Sequence, residues 1–289
     1  MVLSPADEKY PSELVNVEHL TDKEFERACS FIDRAYGLNM KSKRILLECR
    51  LARERARTGL STCDEYLDLV ESGRDAEATA RFADLVTTHY TYFLRESSQF
   101  EFIADQAFPE LERRRPNRPW NILCAGCSTG EECYSVSMLV EDYARLHRIP
   151  DVRIVGVDVS APALKEARAG VYPASRIDRV PSHWKATYFT KQEDGCFAVN
   201  ERVRRRVRFA QANLAGVESL GRTFDLVLCR NVVIYLNQKA KRHAIDLLYR
   251  HLADSCYLVL GHAEIVRDRA RFAYQGHSIY RKLAEAQAS

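Results

Sequence analysis

The residues best suited to chemistry lie between Ile122 and Ser135, which read Ile-Leu-Cys-Ala-Gly-Cys-Ser-Thr-Gly-Glu-Glu-Cys-Tyr-Ser. An apolar run from Trp120 passes into small residues, then two acids, then an apolar-periodic segment. That order predicts strand, tight turn, helix. Gly126 and Gly130 let backbone pass where a Cβ would collide with a ligand. In an α/β sheet such a turn, at the carboxyl end of a strand, is where nucleotide-like ligands sit. No G-x-x-x-x-G-K-[ST] is present, and the glycine spacing is not G-x-G-x-x-G. Glu131 and Glu132 stand where a pyrophosphate would need a bare helix N-terminus. Carboxylates there repel phosphate and attract a cation, which suits S-adenosylmethionine, a ribosyl sulfonium without phosphate. The competing reading is that both glutamates only complement the helix dipole.

The elements around this turn alternate in the α/β manner from Trp120 onward. Strands are expected at 121–124, 152–157, 207–210, 224–229 and 257–260, with a closing hairpin at 271–275 and 278–283. Helices are expected at 131–146, after Ser160, and at 238–252. A small antiparallel insert is expected within 171–205. Several strand ends present polar side chains. Asp158 suits ribose hydroxyls, with a helix N-cap as the alternative; Ser160 is the better cap. Asn213 suits the adenine, or else forms an Asx-turn. Arg230, Asn231 and Tyr235 follow the fourth strand, at the expected switch point; for Tyr235 the alternative is a core aromatic with a wetted hydroxyl.

Residues 1–90 show helical patterns only. Ser4-Pro5 resembles a cap and first-turn proline. Thr21-Asp-Lys-Glu24 is a capping box, and Gly37 closes that helix. Further helices are expected from Lys41 to Thr58, from a cap at Ser61, and from Ala76 to Thr88. The second carries Lys41, Lys43, Arg44, Arg50, Arg53, Arg55 and Arg57, a solvated face or a docking surface for an acidic protein helix. A connector over 91–119 contains a helix from Ser98 to Arg115.

With 289 residues, 46% of them hydrophobic, the chain can bury a large core. A net charge of +3 makes no case for nucleic acid, and aromatics do not interleave with the basic helix. No apolar run approaches the ~20 residues of a membrane span. Asp7, Glu8 and Lys9 stand where a signal peptide would be apolar. Nine cysteines, an odd number, then point to reduced thiols and a cytoplasmic location. Cys124 and Cys127 form a C-x-x-C near Cys133, with no second pair to complete a zinc site, so no metal is expected.

Cys-Arg-Asn-Val-Val-Ile-Tyr (229–235), Ser-Thr-Gly-Glu-Glu-x-Tyr-Ser (128–135), Asn213-Leu214 and Gly261-His-x-Glu264 resemble the chemotaxis receptor glutamate methyltransferases, the CheR family. The resemblance spans the connector and the whole α/β region. It implies a class I methyltransferase fold: a Rossmann-like, mostly parallel sheet with a C-terminal antiparallel hairpin, preceded by a small helical domain. It implies methyl transfer from S-adenosylmethionine, leaving S-adenosylhomocysteine, to glutamates on the cytoplasmic helices of methyl-accepting chemotaxis proteins. Those acidic helices would dock on 41–57. By motif, His89, Thr91, Arg95, Gly126, Glu131, Asp158, Asn213, Leu214, Arg230 and Asn231 would surround the cofactor. Tyr235 would face the transferring methyl, with Arg95 or Arg230 orienting the acceptor carboxylate. The family pattern has Asn at the position of His89 and usually Pro at that of Cys133. The Gly-rich loop of members that grip a receptor's C-terminal peptide is here a short 191–195 turn, which argues against that tether. A carboxylate with a pKa of about 4.3 is already ionised at neutral pH, so the reaction needs no general base. Rival readings are a methyltransferase for another acceptor, a non-catalytic cofactor-binding scaffold or sensor, motivated by His89, and, more distantly, a nicotinamide oxidoreductase.

Overall fold

A computed structural model describes residues 19–284; Ser4-Pro5 and the acidic stretch after it lie outside them. The chain opens as a helical bundle. Helix α1 (Asp22–Tyr36) begins at the Thr21–Glu24 capping box and ends at Gly37, whose φ is 67°. Helix α2 (Arg44–Thr58) starts three residues later than the charge pattern predicts, with Lys43 as N-cap. The Asn39 side chain holds the preceding turn by accepting the Lys41 N–H at 3.2 Å. Helix α3 (Cys63–Glu71) is capped by Thr62 rather than Ser61, because Glu65 stands three residues on and completes a second capping box. Helix α4 (Ala76–Val86) stops two residues before Thr88, since Thr87 is extended. Ala28, Ile32, Leu47, Leu51, Tyr66, Leu67 and Phe82 form the bundle core.

The connector helix is continuous but not uniform. It runs α5 (Ser97–Phe102), a π-turn (Ile103–Ala107) and α6 (Phe108–Arg114), with the Phe108 N–H donating to Ile103 O. Pro109 has no N–H to give, and the wider turn removes the clash its ring would make in an α-helix.

The second layer system is built from β1 (Trp120–Ala125), α7 (Glu131–Tyr143), β2 (Val152–Asp158), α8 (Ala161–Ala169), β3 (Val171–Tyr172), α9 (Ala174–Ile177), α10 (Ser182–Tyr188), β4 (Phe189–Lys191), β5 (Phe197–Val199), α11 (Glu201–Arg204), β6 (Val207–Gln211), β7 (Phe224–Cys229), α12 (Gln238–His251), β8 (Leu252–Leu260), β9 (Phe272–Tyr274) and β10 (Ile279–Lys282). The seven-stranded sheet has the order β6-β2-β1-β7-β8-β10-β9. Its first five strands are parallel, and β10 pairs antiparallel with β8 and β9. This is the Rossmann-like sheet with a closing hairpin that the sequence predicts. The expected insert is present as a three-stranded antiparallel sheet, β3-β5-β4. Strand β8 begins five residues earlier than predicted; a bulge opposite Phe224 and Leu226, with Ser255 at φ 61°, carries it past its polar start.

Chain order runs outward from β1 to β2 and β6, then returns to β7 on the other side of β1. The crevice above β1 and β7 is therefore the topological switch point. The bundle sits over it. Leu38 pairs with Leu236 in an isolated antiparallel bridge, the Asn39 N–H donates to Tyr235 O at 3.1 Å, and the Asn237 N–H donates to Gly37 O at 2.7 Å.

Candidate active site

A cleft opens at the switch point with two walls. The sheet side supplies Gly126 and Ser128 after β1, Asp158 after β2, Asn213 and Leu214 after β6, and Asn231, Val232 and Tyr235 after β7. The other wall is the bundle, with Tyr36, Met40, Lys43, Arg50 and His89.

The turn after β1 is shaped by the protein itself. Gly126 has φ 76°, and a Cβ there would stand 2.3 Å from Val232 Cγ2. The close approach that requires glycine is thus to the loop after β7, not to a ligand as the sequence suggests. Strand β2 also passes close to the thiols, since a Cβ on Gly156 would lie 2.7 Å from Cys133 Sγ and 2.9 Å from Cys127 Sγ. Those cysteines are buried packing.

Asp158 accepts the Ser128 N–H at 2.8 Å and the Ser160 N–H at 2.9 Å, one on each carboxylate oxygen. The α8 cap is Ser160, which accepts the Ala163 N–H, so Asp158 is left at the cleft. Each carboxylate oxygen retains a free lone pair. Asn213 forms the Asx-turn, accepting the Ala215 N–H at 3.0 Å, and its amide also donates to Ala35 O at 2.8 Å. It therefore ties the cleft floor to α1.

The two glutamates do not act as free acids. Glu131 is fully buried, paired with Arg176 and accepting from Thr129 Oγ1 at 2.8 Å. Glu132 takes Arg230 Nη1 at 3.0 Å. Burial pushes the Glu132 carboxyl above its ordinary pKa although Arg230 pulls it down. The sequence expectation of an acid-edged turn is corrected accordingly: the carboxylate facing the cleft is Asp158.

Arg230 is likewise internal. It donates to Gln99 Oε1, Glu132, Glu96 and Arg95 O, so the guanidinium locks the connector onto the end of β7. Arg95 lies against Tyr90 and Tyr92, 5.2 Å and 5.9 Å from their ring centres, and donates to Tyr90 O. Neither arginine lines the cleft, and nor do Thr91 or Glu131. His89 does line it, with Nε2 2.9 Å from Asp84 Oδ1.

Asn231 adopts φ 58° and donates its N–H to Glu264 at 2.9 Å. Glu264, fully buried, also accepts the Gly261 and Ile234 N–H groups. One carboxylate thereby shapes the whole loop bearing Asn231, Val232 and Tyr235. The Gly261-His-x-Glu264 pattern marked it, but without its role. Lys43 was visible only as one charge in a basic helix; its Nζ stands 4.7 Å from the Tyr235 ring centre.

The family model described as "CheR methyltransferase, SAM binding domain" matches residues 89–280, and "CheR methyltransferase, all-alpha domain" matches 23–87. The chain belongs to the CheR methyltransferase family. It is 31% identical to the chemotaxis protein methyltransferase of Borreliella burgdorferi over 91% of this chain and 95% of that one. It is 30% identical to chemotaxis protein methyltransferase 2 of Vibrio cholerae over 85% of this chain and 86% of the relative. Against chemotaxis protein methyltransferase 2 of Pseudomonas aeruginosa the identity is 32%, over 85% and 88%. The chemistry of this CheR chain is methylation that uses S-adenosylmethionine. The donor set fits that cofactor: a carboxylate with spare lone pairs, apolar Leu214 and Val232 beside it, and no lysine-bearing phosphate loop. No helix among the described residues is long and apolar enough to cross a membrane.

Proposed function

We propose that this CheR chain methylates ionised glutamate side chains on the cytoplasmic helices of chemoreceptors, forming methyl esters, and works in the cytoplasm. The observation that carries the reading is the cleft's opposed polarity: Asp158 on the sheet wall, Lys43 and Arg50 on the bundle wall, with the Tyr235 ring 4.7 Å from the Lys43 ammonium. A cationic donor suits the acid, and an anionic acceptor suits the base.

Within that reading Asp158 holds the donor's ribose, Leu214 and Val232 flank its base, and Asn231 and His89 border its path. S-adenosylmethionine supplies a methyl group on a sulfonium. The protein's share is alignment and exclusion of water, and good alignment of two reactants is worth ~7–11 kcal/mol. Tyr235 fixes the approach of the acceptor. Arg95, Glu131 and Arg230 act from behind the cleft by holding the connector and the start of α7. The basic helix α2 presents the receptor, with part of its charge already engaged: Arg44 pairs with Asp22 and Glu48, and Arg57 with Glu54.

Transfer of a labelled methyl group to a receptor cytoplasmic fragment tests this. Counts released as methanol by base are the expected result. Binding of S-adenosylhomocysteine without base-labile counts on receptor would reject the glutamate acceptor.

A further inference from the structure

An anionic acceptor brought into a cleft needs a cation to hold it, and the two arginines that the sequence suggests are both elsewhere. Arg230 is enclosed by four acceptors, and Arg95 is laid against two tyrosines outside the cleft. Lys43 is differently placed. It lines the cleft, is half-buried, and its ammonium faces the Tyr235 ring at 4.7 Å. Among the described residues it pairs with no carboxylate. Burial and the neighbouring Arg50 charge both pull its pKa below the ordinary lysine value. A half-buried ammonium with only a ring face for company is incompletely compensated, and a carboxylate would complete it.

Its position relative to Tyr235 is set by backbone. The Lys43 N–H donates to Met40 O at 2.9 Å, and Asn39, one residue earlier than Met40, donates to Tyr235 O at 3.1 Å. The Leu38–Leu236 bridge extends the same seam.

We propose that Lys43 binds the acceptor carboxylate, its ammonium, seated on the Tyr235 ring face, holding one oxygen while the other oxygen is free to attack. The proposal rests on the glutamate reading above. Lys43 moves no proton: the oxygen–methyl bond forms from an ionised oxygen, and the electron pair of the broken carbon–sulfur bond stays on sulfur. Placing the ammonium on the bundle wall, with Asp158 on the sheet wall, keeps the two charge preferences of the cleft apart.

The test uses the full chain with saturating methyl donor and a varied receptor fragment. Lys43→Gln keeps length and loses charge. Its kcat/KM for receptor should fall about 10- to 100-fold, the effect of a hydrogen bond to a charged group. S-adenosylhomocysteine affinity and Tm should stay close to wild type, and Lys43→Arg should restore most of the activity. A Lys43→Gln variant that matches wild type on a receptor which wild type labels overturns the lysine assignment alone. A parallel loss of S-adenosylhomocysteine affinity and Tm also overturns it, by making the residue structural. Wild-type protein that binds S-adenosylhomocysteine yet labels no receptor overturns the glutamate reading, and the lysine role with it.

Discussion

The His89 imidazole stands 2.9 Å from the Asp84 carboxylate, Nε2 to Oδ1. Its other nitrogen lies 3.3 Å from Ser128 Oγ. One side chain thus links the end of α4 to the turn after β1.

Burial opposes the imidazolium, but the Asp84 hydrogen bond and the charges of Asp84 and Asp158 outweigh it and raise the His89 pKa above 6.5. For Asp84 burial also opposes the charge, and His89 again prevails, lowering its pKa below 3.8. A raised folded pKa contributes stability that is complete below 6.5 and lost as pH rises through the folded value. A lowered one contributes stability present above 3.8 and lost as pH falls through the folded value. The Tm advantage of wild type over His89→Asn should therefore shrink as pH climbs above 6.5 and through the raised folded value, which thermal scans at a series of pH values will show. A constant difference would mean that the charge on His89 adds nothing to stability.

Gly126→Ala places a Cβ 2.3 Å from Val232 Cγ2 at a φ of 76°. The backbone strain alone is about 1–2 kcal/mol, and the collision displaces a loop that lines the cleft. We expect S-adenosylhomocysteine affinity to fall at least about tenfold, the equivalent of 1.4 kcal/mol or more, measured by calorimetry. Gly59→Ala is the control, with φ 72° and nothing within 4 Å: Tm drops while affinity holds.

Arg230→Ala leaves the buried Gln99 and the largely enclosed Glu132 without their shared cation. Breaking such an internal pair costs about 3–5 kcal/mol. The loss should appear in the denaturation midpoint, not as a selective rise in the receptor KM. A selective KM effect in a variant of normal stability would return Arg230 to the role of acceptor ligand.

Glu264→Ala removes the acceptor of three backbone N–H groups, those of Gly261, Asn231 and Ile234. Of these donors the Gly261 N–H is buried, and at about 1–3 kcal/mol for a buried donor left unpaired we expect a loss of at least about 1 kcal/mol in urea denaturation. Glu264→Gln keeps one acceptor oxygen and should lose less. Both variants should bind S-adenosylhomocysteine more weakly, because the loop they release carries Asn231 and Val232.

Much of the architecture was legible because its signals are local. Strand β7 (Phe224–Cys229) is buried along its whole length and reads as an uninterrupted core strand. Gly37, Thr21 with Glu24, and Ser160 mark helix ends through chemistry that spans four residues or fewer. The misplaced starts of α2 and α3 are also local, decided by an Asn39 turn and by which of two hydroxyls had a glutamate three residues ahead. Asp158, Asn231 and Tyr235 were readable as strand-end residues, and all three line the cleft.

The amino-acid sequence by itself determined the order of elements, the switch point above β1 and β7, and the family, since periodicity, caps and motif spacing are properties of neighbouring residues. Only the tertiary structure decided which charged groups face the cleft. Glu131 is neutralised by Arg176 across 45 residues, Arg230 meets Gln99 across 131, and Lys43 meets Tyr235 from a different layer of the molecule. Electrostatic partnership depends on distance through space, and a one-dimensional pattern carries no measure of that distance.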